Sequence, residues 1–471
     1  MSITDPTTPR YKTLLVSHDV MGEKMAGPGI RYYQLSRILS RYTELTLAIL
    51  PQNERALVNL QNRLPDVTVV TYERGDWSSI KAVAEQSDVV ILSPYTTWEI
   101  QQFNGLDSAL VLDGYDPLLI EWLTTLPIDD IEEQTVHWSD RMGALFFQYL
   151  RTDFFICASE RQRYWWLGQL EVSGRINPRT FQDDPSLRNL IDIVAYGLPE
   201  ETPQHTKPMV KGVWPGIEVD DVVVLWGGGL WPWLDPVTAV YAIARLHKEY
   251  PQLKLIFPGT IHPNPDVQEM PVHNTNIYAY AEEQGLLNKA IFFGEWVAYE
   301  DWPNVLLESD IALSLHHDTI ETQLAFRSRM LEYIWAGVPM IATTGDATSE
   351  MVTHYNLGQV VDYHDVDGVV AAIRHMLNGA KAEYQTSLAN AQRELTWENM
   401  AQPLIQFCMN PRRAADHTVG PPGVPYYNVR LDLKQREIDR LEALVQGYEN
   451  GRFMRLMRTI QQWRQRFFPP S

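Results

Sequence analysis

The sequence predicts an α/β protein: two parallel sheets covered by helices, followed by a helical C-terminal tail. Three observations carry this. Short apolar runs alternate with stretches of helical periodicity from residue 12 to residue 361. Such runs lack the in/out alternation of a half-exposed strand, as expected for parallel strands buried on both faces. The first run of each half leads into a glycine loop, GPG at 27–29 and GGG at 227–229. Between the halves, around 199–215, proline density rises and the pattern lapses, which places a domain junction near residue 205. A chain of 471 residues accommodates two or three such domains.

In the first half, strands are expected at 12–16, 45–50, 67–71, 89–92, 110–112 and 154–157. A helix from about 30 to 41 follows the first glycine loop, and strand, glycine loop and helix together open a Rossmann-type unit. Sheets of this kind bind ligands at the carboxyl ends of their strands. Taken alone, Gly27 and Gly29 serve a tight turn, and Arg31 is read as a cation in the first turn of its helix. Asp113, emerging from a buried strand in the run LDGYDP, could orient a sugar hydroxyl, or simply anchor a turn. His18-Asp19 ends the first strand near the same edge, and His137 reads as a structural histidine in a helix.

The second half opens with a strand at 222–226 that runs into GGGLWPWLDP. Gly228 and Gly229 let backbone amides approach a ligand closely, and Asp235 is placed to cap the next helix. Further strands are expected at 253–257, 290–293, 311–315, 340–342 and 360–361. The stretch 324–344, LAFRSRMLEYIWAGVPMIATT, reads as a helix with Phe326, Met330, Tyr333 and Ile334 buried, ended by Ala336-Gly337 before a buried strand. Arg327 and Arg329 fall in its first turn, where the macrodipole disfavours cations unless an anion is bound there. Glu332, one turn later, is an acceptor suited to a diol. An anion with hydroxyls at its far end describes a nucleotide diphosphate sugar; an ordinary surface pair of Arg329 with Glu332 is the plainer alternative. His316-His317-Asp318 has no further ligand at metal spacing, so no metal is expected.

Composition narrows the classes. A net charge of −20, from 59 acidic and 39 basic residues, argues against nucleic acid as a partner and makes a local arginine cluster informative. Two cysteines, Cys157 and Cys408, are too few for a disulfide framework or a cysteine metal cage. No apolar run reaches 18 residues and the N-terminus has no signal-peptide core, so a cytoplasmic protein is expected.

Beyond a helix expected at 397–409, residues 419–428 read as a proline-glycine linker. Residues 431–448 carry Leu431, Ile438, Leu441, Val445 and Tyr448 near heptad spacing, a candidate homodimer contact. Residues 451–468 hold five arginines and no acid among apolar residues. That pattern suits either a helix docked on the acidic body or an interfacial helix on an anionic membrane.

The block Glu-Tyr-Ile-Trp-Ala-Gly-Val-Pro-Met-Ile-Ala-Thr from Glu332 resembles the nucleotide-sugar signature of retaining glycosyltransferases of family 4 (glycosyl transferases group 1). Their pattern is Glu-x7-Glu-Ala-Met-Ala-x-Gly-x-Pro-Val-Ile. The resemblance implies the GT-B fold, in which two Rossmann-like domains face each other across a cleft. By it, residues 1–204 form the acceptor-side domain, 205–395 the nucleotide-sugar domain, and 396–418 a helix crossing back, with 419–471 as linker and tail. It also implies a sugar transferred with retention to a glycan or lipid-linked acceptor, without a bound metal or other cofactor. By the resemblance the first glycine loop approaches the diphosphate and the acceptor, which makes Gly27, Gly29 and Arg31 candidates. Glu332 falls on the ribose-binding glutamate. Leu324 stands where the family has its first glutamate, with Glu321 one turn upstream as a substitute. The glycine loop lacks the family's arginine and lysine, which points to Arg327 and Arg329 as the replacement clamp.

Two other readings fit parts of the chain. An NAD-dependent oxidoreductase would share the alternation, but GPGIRY lacks the third glycine of the dinucleotide fingerprint and the second strand ends without a ribose-binding acid. A non-catalytic sugar-nucleotide binder would tolerate the missing glutamate and basic pair.

Overall fold

The structure, a computed structural model, describes residues 10–94, 106–125, 130–264, 275–417 and 423–449, together with Gly451, Met454, Met457 and Ile460. The first sheet has seven parallel strands in the order β3-β2-β1-β4-β5-β6-β7. They are β1 (Lys12–Val16), β2 (Glu44–Ile49), β3 (Thr68–Thr71), β4 (Val89–Leu92), β5 (Ala109–Asp113), β6 (Phe154–Cys157) and β7 (Ile191–Ile193). The second has six, in the order β10-β9-β8-β11-β12-β13. These are β8 (Val222–Trp226), β9 (Leu253–Pro258), β10 (Ile291–Gly294), β11 (Ile311–Ser314), β12 (Met340–Thr343) and β13 (Gly358–Val361).

Chain order reverses between β1 and β4 in one sheet and between β8 and β11 in the other. At each reversal the adjoining loops diverge to opposite faces and leave a crevice. The apolar runs predicted from sequence account for every strand except β7, whose three residues include Asp192 and show no periodicity. Leu14, Leu15, Val16, Val224, Leu225 and Ile341 are all fully buried, as parallel strands covered on both faces must be.

Three boundaries differ from the sequence reading. The first long helix is Gly27–Leu39, so Pro28 lies in its first turn, where its missing N–H costs nothing. The stretch expected as one helix is two, Trp397–Met400 and Gln402–Met409, broken at Ala401 just before Pro403. Part of the expected linker is helical, because a single helix runs from Gly423 to Glu449. Most of the basic segment 451–468 lies outside the described residues.

The chain leaves the first sheet at Ile193, enters the second at Val222, and returns to the first domain after Leu395. Trp397 packs on Tyr196, and Phe407 stacks on Phe154 of β6 at 4.7 Å between ring centroids. Arg175 and Asp416, both almost fully buried, form a two-pronged ion pair that fastens the returning segment. Among the described residues no helix is long and apolar enough to cross a membrane.

Candidate active site

Both crevices open onto one cavity of about 670 Å³ between the sheets, inside the roughly 300–1,000 Å³ range of small-ligand sites. A second cavity of about 350 Å³ adjoins it, and Tyr299, Trp302 and Glu332 line both.

The second domain supplies the charged wall. After β8 the chain turns through Gly228, whose φ of +89° lies in the left-handed region that glycine alone adopts freely. Tyr333 fixes this loop from below: its hydroxyl accepts from the Gly227 N–H at 2.9 Å and donates to the Leu313 carbonyl at 3.1 Å. After β11 the Ser328–Trp335 helix points its N-terminus into the cavity. Its first N–H groups have no intrahelical partner, so the approach is electropositive.

The two arginines of the sequence reading part company here. Arg329 is half-buried, with its guanidinium 5.7 Å above the Trp226 ring and one Nη2 at 3.5 Å from the Gly229 carbonyl. Its Nη1 is buried without a hydrogen-bond partner. Burial first, then repulsion from Arg327, holds its pKa below the usual arginine value. This is a cation arranged to receive an anion.

Arg327 is not in the first turn but is the N-cap residue, and its guanidinium is already taken. It makes a bidentate pair with Glu321, at 2.9 and 2.7 Å, and approaches Asp346 to 3.6 Å. Two buried carboxylates thus neutralise it, and the expected role in a phosphate clamp is corrected to that of a buried brace. Glu321 lines the cavity, but its carboxylate is spent on the same pair.

Glu332 accepts from the Trp302 indole N–H at 2.9 Å. Burial pushes its carboxyl up to about 7, against the opposing pull of that N–H and of Arg329. A carboxylate short of partners in this position suits the paired hydroxyls of a ribose.

The first domain supplies the opposite wall. Gly27 lies against the helix N-terminus of the other domain, and a Cβ there would sit 3.1 Å from the Ser328 Oγ. Gly29 faces inward instead; a Cβ would collide with the Val20 carbonyl at 2.4 Å, so its smallness serves packing. Arg31 and Asp113 do not face the cavity. They are buried against each other, with Arg31 Nε and Nη2 at 2.8 and 2.9 Å from the two Asp113 oxygens and Nη2 also donating to the Val194 carbonyl. Both candidates are thereby corrected to a structural pair that ties the first helix to the end of β5.

The carboxylate that does reach the cavity is Asp116, three residues on. Burial first, then the nearby Asp113 charge, raises it to about 7. His18 and Asp19 stand beside it, Asp19 accepting from Asn264 of the other domain at 2.7 Å. His137, read from sequence as structural, also faces the cavity from the Ile131–Arg151 helix with Asp140 and Arg141.

Cross-cleft bonds hold the two walls together. Tyr115 donates to the Phe326 carbonyl at 2.9 Å, Gln162 to the Leu324 carbonyl at 2.8 Å, and Gln34 to the Tyr299 hydroxyl at 2.8 Å. Residues of both halves therefore line the site.

Residues 216–395 match the sequence family described as glycosyl transferases group 1, and they span the second sheet. No curated protein matches the chain. Among solved structures, the chain resembles sucrose-phosphate synthase from Thermosynechococcus elongatus at a TM-score of 0.56 and 13% identity, over 84% of this chain and 98% of that one. It resembles Anabaena Alr3699/HepE in complex with UDP and glucose at 0.60 and 13%, over the same shares of 84% and 98%. A glycosyltransferase from Rickettsia africae gives 0.56 and 13%, over 86% and 100%. The fold is GT-B, two Rossmann-like domains facing across a cleft, and the match to the glycosyl transferases group 1 family falls on its second domain.

Proposed function

We propose that the protein is a glycosyltransferase that takes its donor from the nucleotide diphosphate sugars and transfers the sugar with retention. The observation that carries this is Arg329: a half-buried guanidinium with an unpartnered Nη1, between the Gly228–Gly229 loop and a helix N-terminus, one turn ahead of Glu332. The diphosphate would lie against Arg329 and the backbone amides, and the ribose hydroxyls against Glu332. The sugar would then project toward Asp116 and His18 on the opposite wall.

Heterolysis of the glycosidic C–O bond leaves negative charge on the departing diphosphate. Fixed donors already aimed at that charge lower the barrier without reorganising when it develops. Arg329 and the Ser328 helix N-terminus fill that role, so the transfer step itself requires no divalent ion. The acceptor, a glycan or a lipid-linked sugar, would enter along the Ile131–Arg151 helix. The basic tail 451–468 would hold the protein on an anionic cytoplasmic membrane face, and 431–448 would pair two copies.

A non-catalytic sugar-nucleotide binder is the second reading. One observation favours it: Leu324 replaces the family's first glutamate, and Glu321 is engaged by Arg327. Incubating the full chain with a panel of nucleotide diphosphate sugars separates the two. Release of nucleoside diphosphate, accelerated by an acceptor, supports transfer. Saturable binding with no release across the panel supports the binder, and no binding at all removes both.

A further inference from the structure

We infer that the protein has a second site, outside the donor cavity, that takes a zinc-type divalent cation on Asp235, His317 and His364. These residues come from three loops, after β8, β11 and β13. Among the described residues they are the one group of three whose potential ligand atoms lie within 4.8 Å of one another. None of the three lines the cavity.

The geometry is close to a coordination site. His364 Nδ1 lies 2.9 Å from Asp235 Oδ2, and the His317 and His364 rings are 5.0 Å apart, tilted at 33°. Bonds of about 2.0–2.1 Å to nitrogen and oxygen place tetrahedral ligand atoms roughly 3.3 Å apart. No separation in the group has to close by more than about 1.5 Å, within reach of a ring rotation by a half-exposed imidazole.

The supports are already in place. Asp235 caps the Pro236–Leu246 helix, accepting from the Thr238 N–H at 3.1 Å and the Thr238 hydroxyl at 2.6 Å. Its own N–H donates to the Leu315 carbonyl, and the His317 N–H donates to the Trp233 carbonyl, both at 3.0 Å. These bonds fix the backbone of two ligands before any ion arrives. His364 has a left-handed φ of +58°, unusual for a residue with a Cβ. Held there, its ring lies over Asp235.

Two imidazoles and one carboxylate favour a borderline transition metal over magnesium or calcium, which take oxygen ligands. Three protein ligands with His364 exposed leave the fourth position to water. The cation would bind behind the Trp231–Trp233 turn and lock the loop that carries Gly228. This consequence, unlike the binding itself, rests on the donor reading above.

Chelator-treated full-length protein titrated with cobalt(II), and then with zinc, tests the site directly. One equivalent of cobalt with the intense visible bands of four- or five-coordinate geometry, displaced by zinc, is the expected result. His364→Asn tolerates the same backbone conformation, and Asp235→Asn keeps the helix cap. Each should weaken zinc binding by more than the roughly 10–100-fold that loss of an outer-shell partner costs, with circular dichroism unchanged. A weak pink octahedral spectrum, or unchanged affinity in His364→Asn, overturns the site whatever the donor assays give.

Discussion

Arg329 and Arg327 are two residues apart and do opposite work, and their substitutions should separate cleanly. Arg329→Ala removes the donor aimed at the leaving group, so kcat/KM for sugar transfer should fall by about 10²–10³-fold with little change in Tm. Arg327→Ala strands Glu321 and Asp346 in the interior, and should cost about 3–5 kcal/mol in a denaturant melt. Glu332 makes a pH prediction. Its folded pKa, about 7, is raised above the unfolded value near 4.5. Its contribution to stability is therefore full below pH 4.5 and lost as pH rises through 7. Glu332→Gln should be the more stable protein at pH 8, by roughly 1–2 kcal/mol after solvent screening, and the gap should vanish near pH 4. Some of this was legible beforehand. The placing of Arg329 and Glu332 on one short helix and the Asp235 cap could be read from spacing. Asp113 turns inward because it shares a strand face with Ala109 and Val111, which pack in the core beneath the first helix, where Arg31 pairs with it. Ion pairs between residues 82 apart leave no local trace.

The glycine loop after β8 and the Ser328–Trp335 helix are separate elements, joined by the Tyr333 phenol and by Arg329 at the Gly229 carbonyl. Tyr333→Phe leaves the Gly227 N–H and the Leu313 carbonyl without that partner. A loss of about 1–3 kcal/mol is expected, with donor KM rising more than kcat falls as the loop loosens; melts and steady-state kinetics on the same sample would show it. At this scale the sequence was most informative where apolar runs were long and flanked by breakers. It failed at β7, where three residues pair only because β6 is beside them. It failed again at 423–428, where Gly423 and Pro425 suggested a linker. A helix start tolerates those residues, since its first turn needs no N–H from proline. The grouping of Asp235, His317 and His364 was invisible for another reason: parallel strands bring together loops that lie 82 and 47 residues apart in the chain.

At the level of the whole molecule, the Gly423–Glu449 helix carries Ile438, Leu441, Val445 and Tyr448 on an exposed stripe, and every described side chain from 434 to 448 is exposed. Truncation after residue 417 should leave donor turnover intact, while light scattering at micromolar protein should show a dimer reduced to a monomer. An unchanged mass would assign the helix to some other contact. The fold class, the two-domain plan and the returning C-terminal segment followed from alternation and resemblance; the closed arrangement of the domains did not, because it depends on bonds such as Tyr115 to Phe326 that no periodicity encodes. Where the chain passes from one half to the other and back, the two passages are bonded side by side. Leu198 donates to the Leu395 carbonyl at 2.7 Å and accepts from Trp397 at 2.9 Å, and Gly197 has no Cβ because one would lie 2.6 Å from the Trp397 Cα. Bonded to each other in this way, the two crossings form one two-stranded connection between the halves rather than two independent single-chain tethers.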